Sequence, residues 1–269
     1  MPLRSLLFVD PTGENLEAAL ASEADALIFM LADARFPSEL LRASAQLSIL
    51  KAKEAGKRTF VVVNHPRTKL TRGDIEAVMS ADLSGVIVPH CGEPQDVRDV
   101  AVLLREFELR DGVEIGAVAI IARIDTARGI LRAAEIVQAA PRVAALLFHH
   151  QRYAHDIGAR DEEKGERLAY ARGAVVAAAR AFDRLPLIAA GALEARVMAQ
   201  YGFAGLVLPD AGSVMAVNAA FATTEGQAAR ARDEIAAYEA TQGVEDWVAR
   251  FGHEVIDAHT ARKARQRLE

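Results

Sequence analysis

Histidine is the residue type whose placement in this chain first suggests chemistry. Of seven histidines, His65, His90, His149 and His150 follow apolar, β-branched runs, and His155 lies just beyond in the next loop. Imidazole changes charge near neutral pH and carries one donor and one acceptor nitrogen. Several imidazoles at one end of a sheet can therefore act as acid–base groups or bind a borderline metal such as zinc. Taken singly, each also fits a plain polar loop residue. No H-x-x-E-H or similar spacing supports zinc, and the single cysteine, Cys91, leaves no internal disulfide or multi-cysteine metal site and fits a small buried hydrophobe. Two carboxylates stand at comparable places: Asp125 after an apolar run, and Asp33, which fits either a site acid or a cap for the helix that follows.

The elements that must position these residues alternate regularly. Short apolar runs at Ser5–Val9, Ala26–Leu31, Thr59–Val63, Gly85–Pro89, Ala117–Ile124, Val143–Phe148, Leu185–Ala190 and Gly205–Pro209 read as strands buried on both faces. Amphipathic stretches separate them. Val97, Val100, Ala101, Leu104 and Phe107 share one helical face, which should pack on the sheet. Pro37 and Gly56 bracket another helix, and Thr126 is placed to cap a helix that Pro141 later stops. Eight strand–helix units over about two hundred residues predict an α/β fold of the (β/α)8 TIM-barrel type. An open doubly wound sheet is disfavoured, because Asp10, Pro11, Thr12 and Gly13 after the first strand form no glycine-rich turn. Residues 1–222 are expected to form the barrel. Residues 223–269 are expected to form a C-terminal helical extension of the same structural unit, helical over Glu225–Thr241, with Tyr238 and Trp247 as apolar anchors.

Bulk properties narrow the partners. A formal net charge of −5 argues against a nucleic-acid surface, which needs a concentrated basic face. The apolar runs are strand-length, and Met1–Arg4 lacks the pattern of a signal peptide, so the expected location is cytoplasmic, with no membrane contact.

Several strings, in order, resemble one family. R-S-L-L-F-V at Arg4–Val9, A-D-A-L-I at Ala24–Ile28 and I-D-T-A-R-G-I at Ile124–Ile130, followed by A-A-E-I and P-R-V-A-A-L-L-F, are similar to citrate lyase beta-subunit-like (HpcH/HpaI aldolase) proteins. G-F-A-G at Gly202–Gly205, N-A-A-F at Asn218–Phe221 and V-I-D at Val255–Asp257 extend the similarity nearly end to end. The resemblance implies a magnesium-dependent enzyme making or breaking a carbon–carbon bond beside an acyl thioester, usually a coenzyme A ester. The metal would hold an oxo-acid and the enolate-like charge that develops on it.

Residue by residue, the chain departs from that pattern. Asp125 stands where the family has a glutamate ligand of magnesium, and Arg152 where it has the second, an aspartate. Asp33 remains from an acidic second-strand loop. Val62 replaces an arginine that grips the substrate carboxylate, beside the retained Val63 and Asn64. His90 replaces a lysine, and Pro209, Asp210 and Ala211 replace I-H-P. A guanidinium about 4 Å from a divalent ion repels it by roughly 8 kcal/mol at an effective dielectric of about 20. Arg152 is therefore expected to enter the barrel mouth and pair with Asp125 in place of the ion. The alternative is that it turns to solvent with the charged loop of Asp161, Glu162, Glu163 and Lys164. The expected catalytic group is Asp125, Arg152, His149, His150 and Asp257, the last matching a C-terminal acid that reaches a neighbouring subunit's pocket in some family members. Asp33, Asn64 and His90 are expected to bind substrate, no residue is assigned as a metal ligand, and Arg128 is read as a structural pairing partner. The functional expectation is carbon–carbon lyase chemistry on an acyl-coenzyme A thioester or oxo-acid with a diverged site, in a homo-oligomer. The alternative is a silent relative that binds a ligand or partner through the inherited pocket.

Overall fold

The computed structural model describes residues 3–10, 12–33, 35–80, 82–159, 168–241 and 248–268. Asp161 to Lys164 and Trp247 lie outside these residues. The chain divides into two compact units, 3–221 and 222–269.

The first unit is a closed barrel of eight parallel strands in sequence order. These are β1 (Ser5–Phe8), β2 (Ala26–Met30), β3 (Arg58–Val62), β4 (Gly85–Val88), β5 (Ala119–Ile124), β6 (Val143–His149), β7 (Leu185–Ala189) and β8 (Gly205–Leu208). Each lies where the apolar runs predict it, within two residues at either end. Closure comes from β8 pairing with β1, with Leu6 opposite Val207. The helices are α1 (Leu16–Ala21), α2 (Ser38–Glu54), α3 (Thr71–Val78), α4 (Pro94–Asp111), α5 (Ala127–Leu131), α6 (Ala133–Val137), α7 (His150–Asp156), α8 (Ala169–Ala181), α9 (Ala195–Tyr201) and α10 (Val214–Ala220).

Side-chain period two sorts each strand into two layers. Leu6, Ile28, Phe60, Val62, Ile87, Ile121, Leu147 and Leu187 fill the barrel interior. The alternate residues, among them Leu7, Leu27, Val61, Val86, Ile120 and Phe148, pack outward in one cluster with Val97, Val100, Leu104 and Phe107 of α4. Parity therefore turns Arg123 and Asp125 inward with Ile121, and His149 inward with Leu147.

Local signals account for several boundaries. Gly56 follows α2 at φ +68, and the Thr126 hydroxyl accepts from Gly129 N–H at the start of α5. The helix expected between Thr126 and Pro141 runs as two pieces, broken at Arg132, whose φ of −112 and ψ of 12 leave the helical region. β5 begins at Ala119 rather than Ala117 because Gly116 and Val118 N–H donate to the Glu108 carboxylate, itself held by Arg142, and not to a neighbouring strand.

The second unit contains α11 (Glu225–Glu239), an antiparallel pair of β9 (Ala249–Phe251) and β10 (Glu254–Ile256), and α12 (Ala258–Leu268). Among its described residues the apolar cluster is small: Ala249, Ile256 and Ala261, with Tyr238 packed against them as expected. No helix among the described residues is long and apolar enough to cross a membrane.

Candidate active site at the C-terminal mouth of the barrel

Strand ends β4, β5 and β6 bring together the residues with the most chemistry. Asp125 follows the last residue of β5 and is only 1% exposed. Its Oδ2 accepts from Arg123 Nε at 3.0 Å and lies 3.0 Å from His90 Nδ1. Its Oδ1 is buried with no hydrogen-bond partner. Burial pushes the Asp125 carboxyl up, but the His90 hydrogen bond and the Arg123 charge outweigh it and hold it below the usual carboxylate range. Arg123, 7% exposed, is itself lowered by burial, with the charge of Arg152 adding to that effect.

His90 has left-handed backbone, φ +54, rare for a residue with a side chain. Its ring Nε2 lies 3.4 Å from Arg123 Nη2, and its side chain remains 44% exposed at the mouth. His149 ends β6. Burial, followed by the charges of Arg123 and Arg152, pushes its imidazole down to about 4, so it is neutral at physiological pH. His149 also borders a 410 Å³ cavity whose other walls include Phe8, His150, Ala189, Val207 and Pro209. The cavity is largely apolar, and its acidic group, Glu194, reaches Arg172 at 3.6 Å.

The remaining expected residues fare differently. His150 uses Nδ1 on the Ala189 carbonyl at 2.6 Å. Arg152 does not pair with Asp125: it is exposed in the first turn of α7, with its backbone N–H directed to His149 Nδ1 at 3.5 Å. That expectation is corrected. The guanidinium on Asp125 belongs to Arg123, because only an inward position on β5 brings a cation within 3.0 Å of the strand-end carboxylate. Asn64 donates to the Leu31 carbonyl and to Asp74, which also receives Arg42, so its amide is committed below the mouth. Asp33 accepts from Arg35 N–H and pairs with its guanidinium. It does not cap α2, whose N-cap is Pro37. His65 lies 3.4 Å from Asp96, with burial lowering its imidazole. Arg128 pairs with Glu93 at 2.8 Å, as read from the sequence. In the second unit Asp257 accepts from the N–H and hydroxyl of Thr260, capping α12.

Arg123 escaped the sequence reading. The available signal was a charged residue inside an otherwise apolar strand, two positions before Asp125 and therefore on the same face.

The sequence pattern of HpcH/HpaI aldolase/citrate lyase matches residues 4–209. The chain belongs to the HpcH/HpaI aldolase/citrate lyase family. Among relatives, a (3S)-malyl-CoA thioesterase of Cereibacter sphaeroides is 28% identical, over 99% of this chain and 94% of the relative. Citrate lyase subunit beta of Escherichia coli is 29% identical, over 97% and 91%. Among solved structures, a citrate lyase from Burkholderia xenovorans has a TM-score of 0.77 at 16% identity, covering 100% of this chain and 91% of that one. Protein CitE from Mycobacterium tuberculosis, in complex with magnesium, acetoacetate and coenzyme A, has a TM-score of 0.66 at 22% identity, covering 99% and 97%.

The mouth of this family member is a poor match to magnesium. That ion takes about six hard oxygen donors. Here Asp125 has one oxygen already shared by a guanidinium and an imidazole. No three His, Cys, Asp or Glu residues converge as ligands among the described residues. An ion on Asp125 would stand within about 5 Å of Arg123, a repulsion of roughly 7 kcal/mol at an effective dielectric of about 20.

Proposed function

We propose that this protein acts on an acyl thioester, such as a coenzyme A ester, or on an oxo-acid, in carbon–carbon lyase-type chemistry, with Arg123 supplying the positive charge at the mouth. The observation that carries the reading is the buried Arg123–Asp125 pair beside His90. A fixed guanidinium in a poorly hydrated site can hold a carboxylate or a developing enolate oxygen without reorganising. Arg123 and Arg152 both bring positive charge to bear on His149, which favours an anionic ligand beside it. The apolar cavity beside His149 suits the carbon skeleton of such a ligand. His149 and His150 line the ligand's path, and Asp257 completes the site from a second copy of the chain. A cytoplasmic setting fits this substrate class.

Val62, standing where a carboxylate-gripping arginine is expected, favours a second reading: a relative that retains the pocket for binding but has lost turnover. One experiment separates the two. Thermal unfolding of the purified protein is followed with coenzyme A esters and with oxo-acids, each with and without magnesium, and the same mixtures are assayed for cleavage. A ligand-dependent rise in Tm that does not need magnesium, together with cleavage, supports the enzyme reading, since stabilisation scales with ligand concentration over affinity. A rise without cleavage supports the binding reading. Dependence of both on magnesium would overturn the assignment to Arg123.

A further inference from the structure

Two contacts of the His90 ring bear on its tautomer. Asp125, held below the usual carboxylate range, only accepts, so the proton between them sits on His90 Nδ1. Arg123 only donates, so the Nε2 it approaches at 3.4 Å must present a lone pair. A second proton on that ring would set an N–H against a guanidinium N–H. The two contacts are met together by one tautomer of the ring, oriented by a buried carboxylate. Its basic nitrogen faces a half-exposed mouth and is covered by a guanidinium.

We infer that His90 is the base of this site, that Asp125 positions it, and that Arg123 Nη2 covers it until an oxygen of the ligand accepts from that Nη2 instead. The inference rests on the reading given under Proposed function, taken for a hydroxyacyl thioester that carries its hydroxyl on the β-carbon, and what it adds is the residue that takes the hydroxyl proton and the residue that positions it. The thioester oxygen takes Arg123 Nη2, and the freed Nε2 receives the hydroxyl proton. As that O–H bond breaks, the carbinol carbon becomes a carbonyl and the bond to the neighbouring α-carbon breaks. Its electron pair enters the thioester enolate, whose oxygen lies against Arg123. The proton on Nε2 then passes to the α-carbon. One proton moves from oxygen to carbon, and no oxidant or further reactant is needed. The bare Oδ1 of Asp125 fits this arrangement, because both donors on that carboxylate converge on Oδ2 and hold His90 and Arg123 side by side.

The test uses the full-length protein with 15N-labelled histidine. The His90 resonances, identified by their loss in His90→Gln, are expected to show a proton on Nδ1 and none on Nε2. Oxalate, a small dianion resembling an oxo-acid enolate, is expected to shift Nε2 strongly by accepting from Arg123 Nη2 in its place. Asp125→Asn is expected to move the proton to Nε2, which a merely structural change would not do. With (3S)-malyl-coenzyme A as the hydroxyacyl probe and no added magnesium, His90→Gln and Asp125→Asn should lose about 100-fold or more in kcat, with KM changing by less than about threefold. Gln keeps an amide N–H for Asp125, and cooperative thermal unfolding checks that His90→Gln is folded. A proton found on Nε2 in the wild type, or His90 resonances that ignore oxalate, would overturn the inference whatever the turnover. If the wild type cleaves the thioester and His90→Gln cleaves it equally well, the base assignment falls while the proposed function stands. If no thioester or oxo-acid raises Tm or is turned over, the proposed function falls and takes the base assignment with it.

Discussion

Truncating either member of the Arg123–Asp125 pair leaves the other's charge buried, and that loss exceeds anything the pair contributes when intact. Arg123→Met and Asp125→Leu are each expected to lower stability by about 3–5 kcal/mol, and the double variant by less than the two losses combined. Urea denaturation of the four proteins checks this; strictly additive losses would show that the two side chains are not coupled. His149 makes a separate prediction about acid. Its imidazole titrates near 6.5 in the unfolded chain and at about 4 in the folded one. Between those values the unfolded state binds the extra proton, so this contribution is complete above about pH 6.5 and is lost as pH falls towards 4. The slope approaches about 1.4 kcal/mol per pH unit for one such group, and His65, also lowered, acts in the same direction. Urea midpoints measured from pH 7 to pH 5 should fall, and fall less steeply in His149→Gln. Chemistry at this scale was only partly legible. His90, His149 and Asp125 were found because polar residues after apolar runs stand out, whereas Arg123 was hidden inside a run read as uniformly apolar.

At the scale of elements, barrel closure depends on backbones approaching closely where β8 meets β1. A Cβ added at Gly205 would lie 1.9 Å from the Leu3 carbonyl oxygen and 2.7 Å from that of Arg4. Those contacts are to backbone, which cannot turn aside as a flexible side chain can. Gly205→Ala is therefore expected to destabilise the protein by several kcal/mol, or to leave it insoluble, while Gly173→Ala, with nothing within 4 Å, should be neutral or mildly stabilising. Thermal unfolding of the two variants checks the contrast, and equal Tm values would show that the β8–β1 seam yields more than its geometry implies. Strand positions were readable because a strand buried on both faces must be a short apolar run. The start of β5 and the break in the helix after Thr126 were not, since one depends on the distant Glu108–Arg142 pair and the other on a single turn at Arg132.

At the scale of the whole molecule, the described residues of 222–269 form a small apolar cluster, Ala249, Ile256 and Ala261 with Ala237, Tyr238 and Phe251 packed against them, which contact with a second copy would extend. We expect the chain to assemble with copies of itself. Sedimentation at micromolar concentration should give a mass that is a multiple of 28.9 kDa, and a monomer would refute it. The sequence by itself determined the class of fold and the order of its strands, because periodicity and spacing are local properties that any eight strand–helix units must display. It also determined which end of the barrel carries polar side chains, since residues that follow parallel strands all emerge at one end. Only the tertiary structure decided which cation meets Asp125. Arg152 lies 27 positions later by number and Arg123 two positions earlier. The choice turned on inward parity along β5 and on where α7 points its first turn, and neither is written in residue type. The pairing of His90 with Asp125 was decided in the same way. Neighbouring parallel strands place their ends side by side, and the hydrogen bond that fixes the imidazole exists only once β4 and β5 are in register.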